Sequence, residues 1–521
     1  MEKVSRTDTS IRNVLWGIIN KIVNLILPFI FRTILIYTLG EKYLGINSLF
    51  TSILQVLSLS ELGFGTAIVF NMYKPIAEND KQKVNSLLKL YSDIYKIIGT
   101  LILVVGLLIL PFIPKLISGN YPNNINIYIV YLFFLINTSI SYFMFAYRGA
   151  LLNANRRNDL ENKALTISIL VKYVVSCILL LLFKDYYHYL IILLIATVLN
   201  NLLNYYYSKK YFPEYKCEGK LTKTEKKEII KNVGALTCHK IGSTVLNSVD
   251  NIIISAFLGL SILAKYTNYH YIITAVESFV MIIFSSITSI VGTTIIQENK
   301  EKNKDIFNKI FYLNYIIVCF CCAILCCLFQ NFIELWIGKS YLFSIPMMIL
   351  FVSYFFVHCI RRTIIMYRDA TGMWWDNKFQ PLVSASVNLI LNIVLLKFIG
   401  IYGVIISTLI AMIFVDIPWE TLVFLKKNLN IDPKEYFKKI LKFIFITIIV
   451  CIIAYFTCSV INVGNNIVTF IIKIPTSVII TGIVMYLINF KNNYFKYYYQ
   501  LFKTKILIKI LNKLHLTKTV I

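Results

Sequence analysis

Long apolar stretches alternate with short, lysine-bearing breaks along almost the whole chain. Each stretch is long enough to cross a bilayer as a helix, which takes about 20 residues at 1.5 Å rise each. Read in order, they predict about fourteen spans, near 11–39, 43–72, 88–113, 126–147, 163–183, 187–207, 230–257, 262–296, 306–329, 343–366, 379–399, 401–424, 439–461 and 466–490. The predicted fold is therefore an all-α polytopic membrane protein. Residues 1–207 would form a first six-helix lobe, 208–231 a linker, 232–425 a second six-helix lobe and 426–490 a C-terminal helix pair. Residues 491–521 mix Lys with Leu, Ile and Tyr and predict a basic amphipathic surface tail. The first span follows Lys3, Arg6 and Arg12 and is too long for a cleaved signal peptide.

The stretch Asn232–Gly259 breaks the apolar pattern most sharply, with His239, Lys240, Asn247, Asp250 and Asn251 inside one predicted span. At 100° per residue Lys240, Ser243, Asn247 and Asn251 share a stripe, flanked by His239 and Asp250. A charge at the bilayer centre costs at least about 3 kcal/mol, so such groups face a bundle interior or a wet cavity. They are candidates for contact with substrate or a coupling ion; a buried structural ion pair is the alternative.

The stripe occurs twice. A shift of 219 positions carries Lys240 to Lys21, Asn251 to Arg32 and Leu258-Gly259 to Leu39-Gly40. A shift of 220 carries Tyr367-Arg368-Asp369-Ala370 to Tyr147-Arg148-Gly149-Ala150. Two segments agreeing on nearly one offset predict a duplicated chain.

Composition sharpens the class. The 521 residues are 58% hydrophobic and 15% charged, with a mean hydropathy of +0.70, more apolar surface than a soluble chain can enclose. The net charge of +26 does not imply nucleic acid. With a cytoplasmic N-terminus, the lysine clusters at 208–231, 426–442 and 491–518 all fall inside and face anionic membrane lipids, while each external turn carries about one. Both termini are predicted to be cytoplasmic in a multi-pass protein of the cell membrane.

Catalytic and nucleotide motifs are missing. Gly338-Lys339-Ser340 lacks the upstream glycine of a phosphate-binding loop, and no Asp-x-Asp metal motif occurs. Cys319, Cys321, Cys322, Cys326 and Cys327 lie in an apolar span with no histidine or carboxylate near in sequence, so they predict packing rather than metal binding. No catalytic residue, metal or cofactor is expected. Further intramembrane charges are Glu61, level with Lys21, Lys172 in the fifth span and Glu277 in the eighth. Asp416 and Glu420, with Arg361 and Arg362, lie near span ends and predict interfacial positions.

Ser60-Glu61-Leu62-Gly63-Phe64-Gly65 with Tyr73-Lys74-Pro75, Asp250–Ser255 with Gly259 and Tyr266, and Gly400-Ile401-Tyr402-Gly403 together resemble polysaccharide flippases of the Wzx type. These belong to the multidrug/oligosaccharidyl-lipid/polysaccharide exporter superfamily, and the likeness extends over nearly the whole chain. It implies movement of an undecaprenyl-diphosphate-linked oligosaccharide from inner to outer leaflet by two lobes around a cationic lumen. It also suggests a polysaccharide polymerase and glycosyltransferases as partners. Lys21, Arg32, Lys172 and Lys240 suit the diphosphate by chemistry. Asp250, with Asn247 and Asn251 as carbonyl donors, suits a coupling cation, and His239 a titrating station. Two other classes stay open: a multidrug or small-solute exporter, against which the cationic balance argues, and a membrane-embedded polymerase, against which the short external loops argue.

Overall fold

The computed structural model describes residues 6–58, 64–371, 377–426 and 429–507, without the side chains at 6–7, 66, 228, 230–240, 243, 247, 289–290, 296 and 505–507. Every regular element among the described residues is helical. In order these are α1 (Arg6–Thr38), α2 (Glu41–Leu57), α3 (Phe64–Ala77), α4 (Lys81–Ile109), α5 (Ile127–Phe143), α6 (Tyr147–Ala154), α7 (Asn158–Leu170), α8 (Ser176–Phe183), α9 (Tyr186–Tyr211), α10 (Lys223–Leu258), α11 (Leu260–Gln297) and α12 (Lys300–Ile337). There follow α13 (Ile345–Ile360), α14 (Arg362–Thr371), α15 (Gln380–Ile399), α16 (Ile401–Ala411), α17 (Ile417–Glu420), α18 (Pro433–Ser459), α19 (Asn466–Asn489) and α20 (Asn493–Leu501).

Among the described residues, eleven helical stretches are long and apolar enough to cross a membrane, and α5 with α6 makes a twelfth if that pair, bent by 51°, is one span. The sequence predicts fourteen. Two differences fall where the description is incomplete: the span expected at 43–72 includes α2, α3 and residues 59–63, which lie outside the described set, and the one at 230–257 falls on α10, helical over Lys223–Leu258, whose described apolar stretch is Thr244–Leu258.

The surface is inverted relative to a soluble protein. Phe398 is 80% exposed and Phe414 72%, whereas Asn388, Asn392 and Ser407 are buried. In lipid, apolar side chains face outward at little cost and polar ones must find partners inside.

Side-chain caps close many helix starts: Asp80, Asn126, Asp185, Asn299, Asp432 and Asn465 each accept a backbone N–H, and Thr222 with Glu225 forms a full capping box. Between α1 and α2 the chain turns at Gly40 (φ 101°, ψ 169°). It turns between α10 and α11 at Gly259 (φ 87°, ψ 175°). That region is essentially closed to residues with a Cβ. The two glycines stand 219 positions apart.

The chain divides into two compact units. The first is Met1–Tyr271 with Trp374–Ala411, and the second Ile272–Met373 with Met412–Ile521. Within the first, α10 packs on α2 and α15, and Gly242 permits the α15 contact, since a Cβ there would come within 2.3 Å of the Pro381 side chain. Gly403 likewise lets α16 lie against α15, where a Cβ would meet the Leu395 backbone at 2.5 Å. The second unit is built on α12, α13, α18 and α19, with an aromatic column that includes Tyr315 stacked on Phe443 at 4.0 Å.

Candidate functional site

Two of the four predicted cations come together in the first unit. Arg32, on α1, donates from Nη1 to Asn268 Oδ1 at 3.2 Å, and its guanidinium lies 4.9 Å from the Tyr271 ring centroid. Lys172 sits in a five-residue π-turn, Val171–Val175, that joins α7 to α8. One wide turn re-aims a side chain within an otherwise continuous helix, and here it places Lys172 Nζ 4.8 Å from the Tyr173 ring. Phe31 bridges the two groups, 5.4 Å from Tyr173 and 4.6 Å from Tyr189. Tyr189 hydrogen-bonds to Asn47 Oδ1 at 3.3 Å and lies within electrostatic reach of both Arg32 and Lys172.

Both cations are half-buried, and their ionisable neighbours are tyrosines rather than carboxylates. A cation over an aromatic face is held without being neutralised. It keeps its charge available for an anionic ligand, and a guanidinium and an ammonium that share Tyr173 and Tyr189 as neighbours suit a diphosphate. Lys21 is exposed on α1. It lies eleven positions from Arg32, nearly on the same face and about 16 Å along the axis. It therefore extends the Arg32 stripe without joining the cluster. The side chains of Lys240, His239 and Asn247, and the residue Glu61, lie outside the described residues.

Asp250 is buried at 6% exposure in a knot of amides and hydroxyls from α10, α15 and α16. Asn392 Nδ2 donates to Asp250 Oδ1 at 2.6 Å, and Thr408 Oγ1 to Asp250 Oδ2 at 3.3 Å. Asn388 Nδ2 donates to Thr408 Oγ1 at 2.9 Å, Asn392 Nδ2 to Asn388 Oδ1 at 3.1 Å, and Ser407 to Asn392 Oδ1. The Val404 carbonyl accepts from both Ser407 and Thr408. No basic side chain is among these partners. A buried carboxylate so placed needs either a proton or a small cation to balance it. The carboxylate, amide, hydroxyl and carbonyl oxygens are hard donors, suited to a hard cation.

The expected co-ligands were Asn247 and Asn251. Asn251 instead donates to Ser52 Oγ on α2 at 2.9 Å, because neighbouring helix positions diverge by 100°. Asn392 and Thr408, which do bond Asp250, come from more than 130 positions away in sequence, and Tyr266 on α11 also hydrogen-bonds to it. Their signal was present in Asn388 and Asn392, one helical turn apart in an apolar run, followed by Ser407-Thr408.

Contacts between α1–α2 and α10–α11 follow the 219-residue shift. Asn251 meets Ser52, and the shifted pair, Arg32 and Tyr271, meets as well. Ser48 donates to Thr267 Oγ1 at 3.4 Å, and these two positions are each other's equivalents, 219 apart. A position that touches its own equivalent lies on the local axis relating the two helix pairs, as at a two-fold interface.

The second unit holds its own charges. Arg361 is bidentate to Glu420, at 3.1 and 2.7 Å, and its Nη1 lies 2.7 Å from Asp416. All three are buried against one another, a contact that their positions near span ends in the sequence did not show. Glu277 is also buried, with His358 Nδ1 2.8 Å from its Oε1. The cysteines described in the structure are free thiols.

Solved structures share this fold. A structure described as "Lipid II flippase MurJ, inward closed conformation" superposes with a TM-score of 0.66 at 16% identity, covering 91% of this chain and 99% of that one. An inward-facing multidrug resistance MATE family transporter of the MOP superfamily gives 0.64 at 13% identity, over 78% and 94%. An outward-facing MATE family transporter gives 0.55 at 14%, over 80% and 94%. No curated protein matches this chain in sequence. The family described as "Polysaccharide biosynthesis protein" matches residues 10–291, more than half of the chain. That match includes most of α1, the π-turn of Lys172 and Asp250, and on it this multi-pass membrane protein belongs to that polysaccharide biosynthesis family.

Proposed function

We propose that the protein is a flippase that carries an undecaprenyl-diphosphate-linked oligosaccharide from the inner to the outer leaflet for surface polysaccharide export. It has fourteen spans, both termini in the cytoplasm and two repeated six-helix lobes. The observation that carries this reading is the pair Arg32 and Lys172, cationic, set among tyrosines and without a carboxylate partner among the described residues. Such a site suits an anionic diphosphate. It does not suit a cationic drug, which would be drawn to acidic groups. The family and fold support the same class. Translocation breaks no bond, so a site that replaces water around charge is sufficient, provided that the protein alternates between two access states. Lys21 continues the cationic stripe of Arg32 on α1, and Lys240 is its equivalent in the 219-residue shift. Partners are the lipid-linked oligosaccharide and membrane lipids, with a polymerase and glycosyltransferases acting before and after.

The Asp250 knot supplies the coupling. A proton or a hard monovalent cation bound at Asp250, with Asn392 and Thr408, biases the packing of α10 against α15 and α16, and Asn247, Asn251 and His239 stand on the same helix. The test is transport of a lipid-linked oligosaccharide in proteoliposomes under imposed ion gradients. Replacing both Arg32 and Lys172 by Gln should abolish transport while the folded protein remains in the membrane. Asp250→Asn keeps the hydrogen-bonding shape and should remove the dependence on the gradient. Full transport by the Arg32/Lys172 double variant would sink the flippase reading of this site.

A further inference from the structure

Sequence spacing predicts no metal site, in the cysteine run 319–327 or elsewhere. Folding brings together what sequence spacing conceals. Cys359 follows His358 in the last turn of α13, and Glu277 reaches them from α11. One donor atom from each, a carboxylate oxygen, a ring nitrogen and a thiol sulfur, lie within 4.8 Å of one another. The Glu277 side chain is 11% exposed and that of His358 31%, while Cys359 is 3% exposed.

We propose that Glu277, His358 and Cys359 bind a divalent transition metal of the zinc class, with the open side next to His358 left for water. The donor set selects the ion. Magnesium and calcium take oxygen ligands, whereas zinc accepts carboxylate, imidazole and thiolate together. Charge agrees: a carboxylate and a thiolate neutralise a dication in surroundings where an unbalanced charge is costly. Three protein ligands with one open position is the arrangement of an exchangeable site rather than a closed structural one.

The geometry needs only a small adjustment. Zinc bonds of about 2.0–2.3 Å in a tetrahedron set the donors about 3.3–3.7 Å apart. Glu277 and His358, now 2.8 Å apart, open slightly, and the thiol of Cys359 draws in. Adjacent helix positions normally diverge, but α13 ends here and gives way to α14, and its last carbonyls, of Cys359 and Ile360, accept from Asn314 Nδ2 at 3.0 and 3.1 Å instead of continuing the helix ladder. Tyr354 stacks on the imidazole at 5.7 Å and limits its rotation. Arg362 opposes binding, since its guanidinium lies within electrostatic reach of Glu277 and Cys359. The site is therefore tuned below the affinity its ligands alone would give.

The test is titration of the purified, tag-free full chain in detergent with Co2+ and Zn2+, followed by metal analysis after desalting. Co2+ should give a thiolate-to-metal absorption band that Zn2+ displaces. Cys359→Ser should abolish the band. His358→Ala and Glu277→Gln should each weaken binding by more than the 10–100-fold that loss of an outer-shell partner brings. Arg362→Gln should tighten it, a change that a damaged fold does not produce. The absence of a thiolate band in the parent, or binding that survives undiminished in all three ligand variants, overturns the proposal. These readouts do not depend on transport, so they stand apart from the flippase assay.

Discussion

Arg361 shows how much a single buried residue decides. It serves two carboxylates, Asp416 and Glu420, and all three groups are shielded from solvent. Such a cluster is weak evidence of net stability, because desolvation offsets most of the attraction. Removing one partner is another matter. Arg361→Met leaves two uncompensated acids and should destabilise the second unit by about 3–5 kcal/mol, seen as a lower unfolding midpoint in detergent. Adding Asp416→Asn and Glu420→Gln to the same variant should recover most of the loss. If the single and triple variants unfold alike, the charges are not the cause. The sequence showed these residues as charges near span ends but could not show them meeting, since their pairing depends on α13 lying against α17. The same limit applied at Asp250. The residue itself stood out, while its partners became visible only once α15 and α16 were placed. Arg32 and Lys172 were legible as candidate cations for a simple reason: a charge inside an apolar run is rare and must be accommodated.

Helices were the most legible elements. A run of about 20 apolar residues has few alternatives in a bilayer, so most predicted spans reappear as single helices. The bend between α5 and α6 was not legible, because apolar content continues across Met144-Phe145-Ala146. Glycines marked turns reliably. Gly259 holds a backbone conformation that excludes a Cβ, and a Cβ there would also come within 2.7 Å of the Ser118 carbonyl oxygen. Gly40 holds the same conformation but has open space around it. Gly259→Ala should therefore cost more than Gly40→Ala. Both carry a backbone penalty of about 1–3 kcal/mol, and only the first adds a clash that must push α10 away from the Ser118 backbone. Comparing the unfolding midpoints of the two variants checks this, and equal losses would show that the Ser118 approach relaxes freely.

At the scale of the whole molecule, two short sequence matches share nearly one offset, 219 and 220 positions. Its consequence for contacts was not legible: Ser48 and Thr267, which occupy equivalent positions, touch each other at 3.4 Å. Alternating access that opens along this local axis parts the two helices in one state and joins them in the other. Cysteines placed at Ser48 and Thr267 should cross-link under mild oxidation, since the side-chain oxygens they replace are already close enough for a small shift to bring two sulfurs to bonding distance. The cross-linked protein should stop transporting, and a reductant should restore it. A single cysteine at either position should transport throughout. Undiminished transport by fully cross-linked protein would show that α2 and α11 remain together during the cycle, and that the movement admitting substrate occurs away from this local axis.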